Sequence, residues 1–326
     1  MDDILAWFYS PPQMPESTNL RCLFLFVFLL SSLIHVDTAP ADADDNPKSD
    51  AATPTDAGVS HFGAFGLLDK RSRYYSDWYP EPLRVEDTTV NNELRFDYEH
   101  DEARGVTDNQ GSIELQKSAG LMTFEIRVPY VSDATHGFDG DVGNRVETTG
   151  VGVVELGDRL PLFQYVSSSG FFDNTIGVNL EIGIPTDSHV SKNTEIAPGI
   201  FDDLRIGEHF SVQSLFSFSS LLGSKPDEGR ESFEYGMAFG YAIEDEDLPL
   251  PDIERTIPLF ELVGETGFDG SAAGHNSLTA TAGFRLEMKE IDKVQPQLGL
   301  GYIFPIDKSG RDDLKWGIIV SLSLEF

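Results

Sequence analysis

Histidine, serine and acidic side chains are the residues of this sequence that could carry out chemistry. His209 and Ser211 lie two residues apart, so they share one face if the segment is a strand. A serine nucleophile needs an adjacent base to activate it, but one such pair in a serine-rich sequence is weak evidence for a hydrolase. The other six of the seven histidines fall mostly in predicted loops or outside the predicted barrel. We therefore expect that the protein is not an enzyme.

The sequence also does not indicate a metal site. It contains no HxxH or HExxH spacing, and its single cysteine is Cys22, so the common histidine and cysteine ligand patterns are missing. The acidic runs DADDN at 42–46 and EDED at 244–247 lack the ordered ligands of a calcium-binding loop. We interpret both runs as solvated acidic surface and expect no metal and no cofactor.

A further set of polar residues alternates with apolar residues, and this alternation predicts the fold. From Trp316 to Phe326 every second residue is apolar, which is the period of a β-strand with one apolar face. A tilted strand of roughly 9–11 residues crosses a bilayer. The pattern recurs from Asn91 onward and predicts an all-β, antiparallel, up-and-down transmembrane barrel of about 12 strands, an even number that places both chain ends on one side.

The second face of these predicted strands is polar and rich in glycine and serine, which suits a crowded lumen, whereas the bulky apolar face suits lipid. A soluble β-sandwich would instead bury its apolar face and expose the charged one. The candidate lumen-lining residues are Glu125, Arg127, Glu181, Gln213, Glu234, Glu261, Arg285 and Gln297.

Composition supports a strand-built membrane protein. The chain has 326 residues, 55 acidic and 23 basic, a formal charge of −32 and a mean hydropathy of −0.21. It is too polar for a bundle of membrane helices, each of which needs about 20 apolar residues. Its acidity argues against nucleic acid as a partner, because phosphates are bound by lysine and arginine.

The N-terminal region is predicted to divide into three parts before the barrel, which we place at 90–326. Residues 1–41 resemble a signal peptide with an extended first region, because an apolar run of 13 residues from Cys22 to Ile34 precedes small-residue cleavage sites. Translation starting at Met14 and a short membrane anchor are the alternatives. Residues 42–57 are a disordered acidic linker. Residues 58–89 are a periplasmic segment, which we interpret as a linker in preference to a plug of the barrel mouth.

The last strand resembles the terminal strand of Gram-negative outer-membrane β-barrels. The resemblance depends on Leu322, Leu324 and the final Phe326, and it implies that the barrel-assembly machinery reads this strand as an assembly signal. It also implies export into the outer membrane of a Gram-negative-type bacterium.

Residues 80–326 also resemble the outer-membrane family of transporters of the phenol meta-degradation pathway. The resemblance is carried by Glu81-Pro82-Leu83, by the run from Ile182 to Thr186, and by strands that pair glycine with aromatic residues. Members often have glycine where this chain has Asp187. The family implies passage of small, often aromatic compounds, but it supplies no binding residues.

We therefore predict a monomeric, porin-like outer-membrane channel or transporter that passes a small, possibly aromatic or hydrophobic, solute by diffusion. A closed structural barrel and a secreted β-sandwich that binds glycans are the alternatives. The expected partners are outer-membrane lipid, the assembly machinery and the solute. We also expect Arg285 to lie opposite Glu261 on the neighbouring strand, or one inward position away, and to form with it an ion pair that narrows the pore.

Overall fold

The structure is a computed structural model, and it describes residues 79–326 except 87, 90, 104–105, 120–121, 136–145, 168, 170, 189–192 and 224–228. The predicted signal peptide, the acidic linker and residues 58–78 lie outside the described residues. The strands are β1 Glu93–Glu102, β2 Val106–Ala119, β3 Met122–Thr135, β4 Val146–Val151, β5 Val153–Val166, β6 Phe172–Pro185, β7 Thr194–Ile206, β8 Phe210–Leu222, β9 Glu231–Tyr241, β10 Ile243–Glu244, β11 Ile253–Gly267, β12 Asn276–Met288, β13 Gln295–Pro305 and β14 Trp316–Glu325.

Helical structure is limited to two short pieces within the part of the chain that the structure describes. One is a 3₁₀ turn at Gly270–Ala272, and the other is α1 at Lys308–Asp313. Asp307 caps α1 by accepting a 2.6 Å hydrogen bond from the Gly310 amide. No described helix is long and apolar enough to span a membrane.

The strands form one closed antiparallel sheet. Neighbours in sequence pair with each other, and β14 pairs with both β13 and β1. Two wall strands are interrupted: β4 and β5 both pair with β3 across Gly152, and β9 and β10 both pair with β11 across Ala242. The fourteen segments therefore make twelve wall strands, which confirms the predicted fold class.

The two ends of the barrel differ in their connections. The end that carries Glu93 and Glu325, where the chain enters and leaves the wall, is the periplasmic end in barrels of this kind. There β7 and β8 are joined by a tight turn in which Gly207 takes φ of 67°, a left-handed conformation that only glycine adopts without strain. Longer connections, including α1, lie at the opposite end.

Exposure alternates along the wall strands as the sequence pattern predicts. In β1 Phe96 and Tyr98 are 38% and 49% exposed, whereas Arg95, which precedes Phe96 and points to the other face, is 3% exposed. In β14 Val320 and Leu322 face outward while Ser321 and Ser323 are buried inside. Apolar residues outside and polar residues inside are the arrangement of a barrel in lipid.

Candidate functional site in the barrel lumen

The lumen contains a stretch of the protein's own chain, the described residues 79–86, 88–89 and 91–92, which we call the inner segment. It begins at the periplasmic end, where the Tyr79 hydroxyl lies 3.3 Å from the carbonyl oxygen of Asp173 on β6 and 3.4 Å from that of Asp203 on β7. Gln213 on β8 donates from its amide nitrogen to the Pro80 carbonyl oxygen. These contacts fix the entry of the segment beside three consecutive wall strands.

Glu81 is held by two buried arginines on β1 and β12, two wall strands that are separated by β13 and β14. Arg95 of β1 approaches one carboxylate oxygen at 2.9 Å, and Arg285 of β12 approaches the other at 2.9 Å. The Ser323 hydroxyl of β14 donates to the second oxygen at 2.7 Å. The same arginines donate to the carbonyl oxygens of Pro82 and Leu83 at 2.8 and 2.6 Å, so they bind both the side chain and the backbone of the segment.

The middle of the inner segment is held by Glu261 of β11. This carboxylate is fully buried and accepts backbone hydrogen bonds from Leu83 at 2.5 Å, Arg84 at 2.8 Å and Val85 at 3.2 Å. A buried carboxylate is costly unless its oxygens accept several hydrogen bonds. Glu261 and the three amides therefore stabilise each other only while the segment stays in the lumen.

Leu83 packs on a glycine surface formed by two neighbouring wall strands, β12 and β13. A Cβ placed on Gly283 or Gly301 would lie 2.7 or 2.8 Å from its side chain, and one on Gly299 would also collide with it. These glycines are required because any larger residue would fill the space that Leu83 occupies. Leu83 belongs to a buried apolar cluster with Ile257, Leu259, Ile303 and Ile319, among others.

The segment then meets a network of charges on the other side of the lumen. Glu86 lies 2.8 Å from Arg159 of β5 and 3.9 Å from Arg127 of β3. Arg159 also binds Glu125, and Arg127 lies 3.2 Å from Glu155. The carboxylates of Glu86, Glu114 and Glu125 come within 4.8 Å of one another, a spacing that could hold a metal ion, but Arg127 and Arg159 already form ion pairs with them. We interpret the cluster as an ion-pair network.

The segment returns to the periplasmic end before β1. Thr88 donates to the Asp203 carboxylate at 2.5 Å, close to where Tyr79 entered. The Asn92 side chain accepts from the backbone and the hydroxyl of Ser118, and its carbonyl accepts from the Phe326 amide at 2.9 Å. The inner segment is therefore a loop that rises into the lumen and comes back to the same end.

Two cavities open beside the described wall strands, and the first of them adjoins the inner segment. One, of about 240 Å³, lies between Arg84 of the segment and the acidic residues Asp97, Glu99, Asp101 and Asp108 of β1 and β2. The other, of about 520 Å³, opens at the extracellular end among Glu195, Glu234, Glu265 and His275. Both are lined mainly by polar side chains, so water and polar solutes can occupy them.

All eight residues that the sequence analysis proposed for the lumen lie on the inner face of the wall. Gln213, Glu261 and Arg285 contact the inner segment directly, and Arg127 is near Glu86. Glu125 binds Arg159, Glu234 lines the extracellular cavity, Gln297 lies 3.5 Å from Glu325, and Glu181 shares the inward face of β6. Leu322 and Leu324 lie on β14, and Phe326 follows it.

Two expectations are corrected by these contacts. The Glu261–Arg285 ion pair is not formed: Glu261 is opposite Thr281 and Arg285 is opposite Ile257, so the register separates them by two inward positions. Each side chain binds the inner segment instead. The described residues 79–86 and 88–89 are also not the periplasmic linker that we preferred, because they lie inside the barrel. The Nδ1 atom of His209 lies 2.9 Å from the carbonyl oxygen of Ala242, so this histidine contacts the backbone.

Sequence reasoning missed Glu81, Glu86, Arg95 and Arg159 as lumen residues. The signal for Arg95 was present, because it shares a strand face with Glu93 and Asp97. Glu81 and Glu86 lie in a segment without period-2 alternation, and nothing local in it predicts burial in a barrel.

These observations define a closed outer-membrane β-barrel with an internal segment, and they confirm the predicted outer-membrane localisation. No protein-family model matches the chain, and no curated protein matches it in sequence. Among solved structures it is similar to an outer-membrane channel from Pseudomonas putida F1, with a TM-score of 0.52, 16% identity, and coverage of 76% of this chain and 100% of that one.

Other solved structures are more distant. The NanC porin matches with a TM-score of 0.43 and 8% identity over 72% of this chain and 98% of its own. OccK7 (OpdD) of Pseudomonas aeruginosa matches with a TM-score of 0.33 and 7% identity over 72% of this chain and 97% of its own. At such low identity the similarity of the first structure shows the fold, and the resemblance to phenol-pathway transporters stays a prediction.

Proposed function

We propose that this protein is a monomeric outer-membrane channel for small solutes whose lumen is gated by the inner segment. In this proposal the inner segment is a plug that occupies the lumen at rest and leaves it, wholly or in part, to open a passage. The partners are outer-membrane lipid, the barrel-assembly machinery and the solute. The observation that carries the proposal is the way the segment is attached to the wall.

The attachment is mostly polar. Glu81, Glu86 and the backbone amides from Leu83 to Val85 bind charged wall residues, and the side chains of Leu83 and Val85 supply apolar contacts. Polar groups can exchange these partners for water when the segment moves, because a carboxylate or an amide is well solvated. A barrel filled only for rigidity would more simply be packed with apolar or large side chains from its own strands. The proposal therefore favours a channel over a closed structural barrel.

A reversible disulfide between plug and wall tests the proposal. A Cβ placed on Gly236 of β9 would lie 3.6 Å from the Cβ of Val85, which is within the separation that a disulfide requires. The variant carries Val85→Cys and Gly236→Cys, with Cys22→Ser to exclude the native thiol. Single-channel conductance in planar bilayers is recorded under oxidising conditions and again after reductant is added. We expect rare, small openings while the disulfide is intact and larger or more frequent openings after reduction.

Two controls separate the plug from general effects of the cross-link. Each single-cysteine variant should give the same conductance with and without reductant. A wall-to-wall disulfide between Glu125→Cys and Gly157→Cys, whose Cβ atoms would be 3.5 Å apart, should give the same conductance before and after reductant is added. The loss of the Glu125–Arg159 ion pair is common to both states, so it does not affect this comparison. If the Val85–Gly236 variant conducts equally in both states, the plug does not gate the pore. If it never conducts, even when reduced, the closed structural barrel is the better account.

A further inference from the structure

We propose that the contact surface of Glu81 and Leu83 is a binding site for a monocarboxylate with a short branched apolar chain, and that these two side chains occupy it in the resting state. The transport role of this site rests on the proposed function, because a solute reaches it only where the plug is displaced. The site itself is built from wall residues, so its affinity for a carboxylate can be measured without transport.

The carboxylate subsite is complete on the wall. Arg95 and Arg285 each approach one oxygen of Glu81 at 2.9 Å, and their side chains are 4% and 0% exposed. Ser323 adds a hydroxyl donor at 2.7 Å. Two guanidinium groups and a hydroxyl that converge on two oxygens form the arrangement by which proteins recognise carboxylates.

The two arginines differ in whether they have a second carboxylate partner besides Glu81. Arg95 also pairs with Asp97 at 2.8 Å. Within the described part of the chain, Glu81 is the only carboxylate that comes within 4.0 Å of the Arg285 guanidinium. If Glu81 lost its carboxylate while the segment stayed in place, Arg285 would be a buried cation without a counter-ion, which is strongly unfavourable unless another anion replaces it. The wall therefore favours a carboxylate at this position whatever its source.

The apolar subsite lies directly beside the carboxylate subsite. It is formed by the glycine surface of Gly283, Gly299 and Gly301 together with Ile257 and Ile303, and Leu83 fills it. A Cβ placed on Gly299 would touch Leu83 and lie 3.6 Å from the guanidinium carbon of Arg285. A single small molecule can therefore place its carboxylate on the arginines and its alkyl chain on the glycines.

The surrounding charges indicate the side from which such an anion reaches the site. Glu195, Glu234 and Glu265 line the extracellular opening and repel a carboxylate there. The arginine pair lies nearer the other end, because Ser323 and Glu81 are close to the periplasmic end of β14 and to the entry of the inner segment. We infer that the monocarboxylate binds from the periplasmic side.

The test uses a variant that vacates both subsites, Glu81→Ala with Leu83→Ala, in the full-length protein in detergent. The probe is 4-methylpentanoate, and the neutral isostere 4-methylpentanamide is its control. Binding is measured by calorimetry and by the midpoint of thermal unfolding. We expect the acid to raise the midpoint of the variant and to bind it roughly tenfold or more tightly than the amide, since only the acid makes the charge-assisted hydrogen bonds. Wild-type protein should show a much smaller shift, because its own side chains fill the site.

Three outcomes would overturn the inference: equal effects of acid and amide, an unchanged acid effect when Arg285→Gln is added, or no binding by a folded double variant. If the double variant does not fold alone, the acid should restore its refolding yield and the amide should not. Equal yields with both compounds would then count against the site. Since these measurements need no membrane, a protein that conducts but does not bind the acid refutes only this inference. One that binds the acid but never conducts refutes only the channel.

Discussion

Replacement of Glu261 by alanine should release the plug. Its carboxylate accepts three backbone hydrogen bonds, at 2.5, 2.8 and 3.2 Å, from consecutive residues in the middle of the inner segment. No other wall side chain binds the backbone of this part of the chain at three successive amides among the described residues. The variant Glu261→Ala removes all three acceptors at once and leaves the rest of the wall in place.

The size of the effect follows from these three bonds. A hydrogen bond in a protein contributes about 1 kcal/mol net, because the donor is solvated when the bond is broken. Three bonds give about 3 kcal/mol, which corresponds to a change of roughly a hundredfold in the ratio of docked to displaced plug. A channel that is open about 1% of the time would then be open about half of the time.

Open probability in planar bilayers measures this change. The matched control is Glu265→Ala, which removes the same side chain from the same strand, near the extracellular cavity and away from the plug. We expect a large rise in open probability for Glu261→Ala and little change for Glu265→Ala, with equal heat-modifiable gel shifts for both proteins. Equal open probabilities would refute the assignment of Glu261 as the residue that holds the plug.

Three further predictions concern assembly, pH and export. Deletion of Phe326 should lower the folded fraction in cells far more than deletion of Ser309 in the outer loop, because the Phe326 amide closes the barrel onto Asn92; equal folded yields would contradict the assembly role. The hydrogen bond to Asp313, 3.0 Å away in the outer loops, raises the pKa of His275 above its usual value. The stabilisation by this pair is therefore present below pH ~6.5 and is lost as the pH rises through the raised pKa of His275. Asp313→Asn should lower the melting temperature at pH 5 but hardly at pH 9. A decrease in melting temperature that is independent of pH would count against the pair. Mass spectrometry of outer-membrane protein should find a mature N-terminus at Asp42 or Asp44, and retention of Cys22 would show that the predicted signal peptide is not removed.

The wall of the barrel could be predicted from the sequence because its determinants are local. A strand in lipid must alternate between an apolar face and a polar one, and the residues from Trp316 to Phe326 show this without reference to any other part of the chain. The inward direction of the Glu261 and Arg285 side chains follows from the same alternation. The predicted number of wall strands is correct although Gly152 and Ala242 each interrupt a strand. The two pieces of each interrupted strand pair with the same neighbouring strand and so count as one wall strand.

The contents of the lumen were decided only by the tertiary structure. The alternation of apolar and polar residues predicts that a side chain points inward, but it does not predict which of the many inward-facing groups that side chain contacts. Arg285 binds Glu81, 204 residues earlier in the chain, and Glu261 binds the Leu83 amide, 178 residues earlier. The pairing register of β11 and β12 separates Glu261 from Arg285, and it is fixed by how the connecting loop closes between Gly267 and Asn276. The inner segment has no periodic pattern of its own, because it forms neither a strand nor a helix. It takes its shape from the charges and glycines of the wall around it, and these come together only when the barrel has closed.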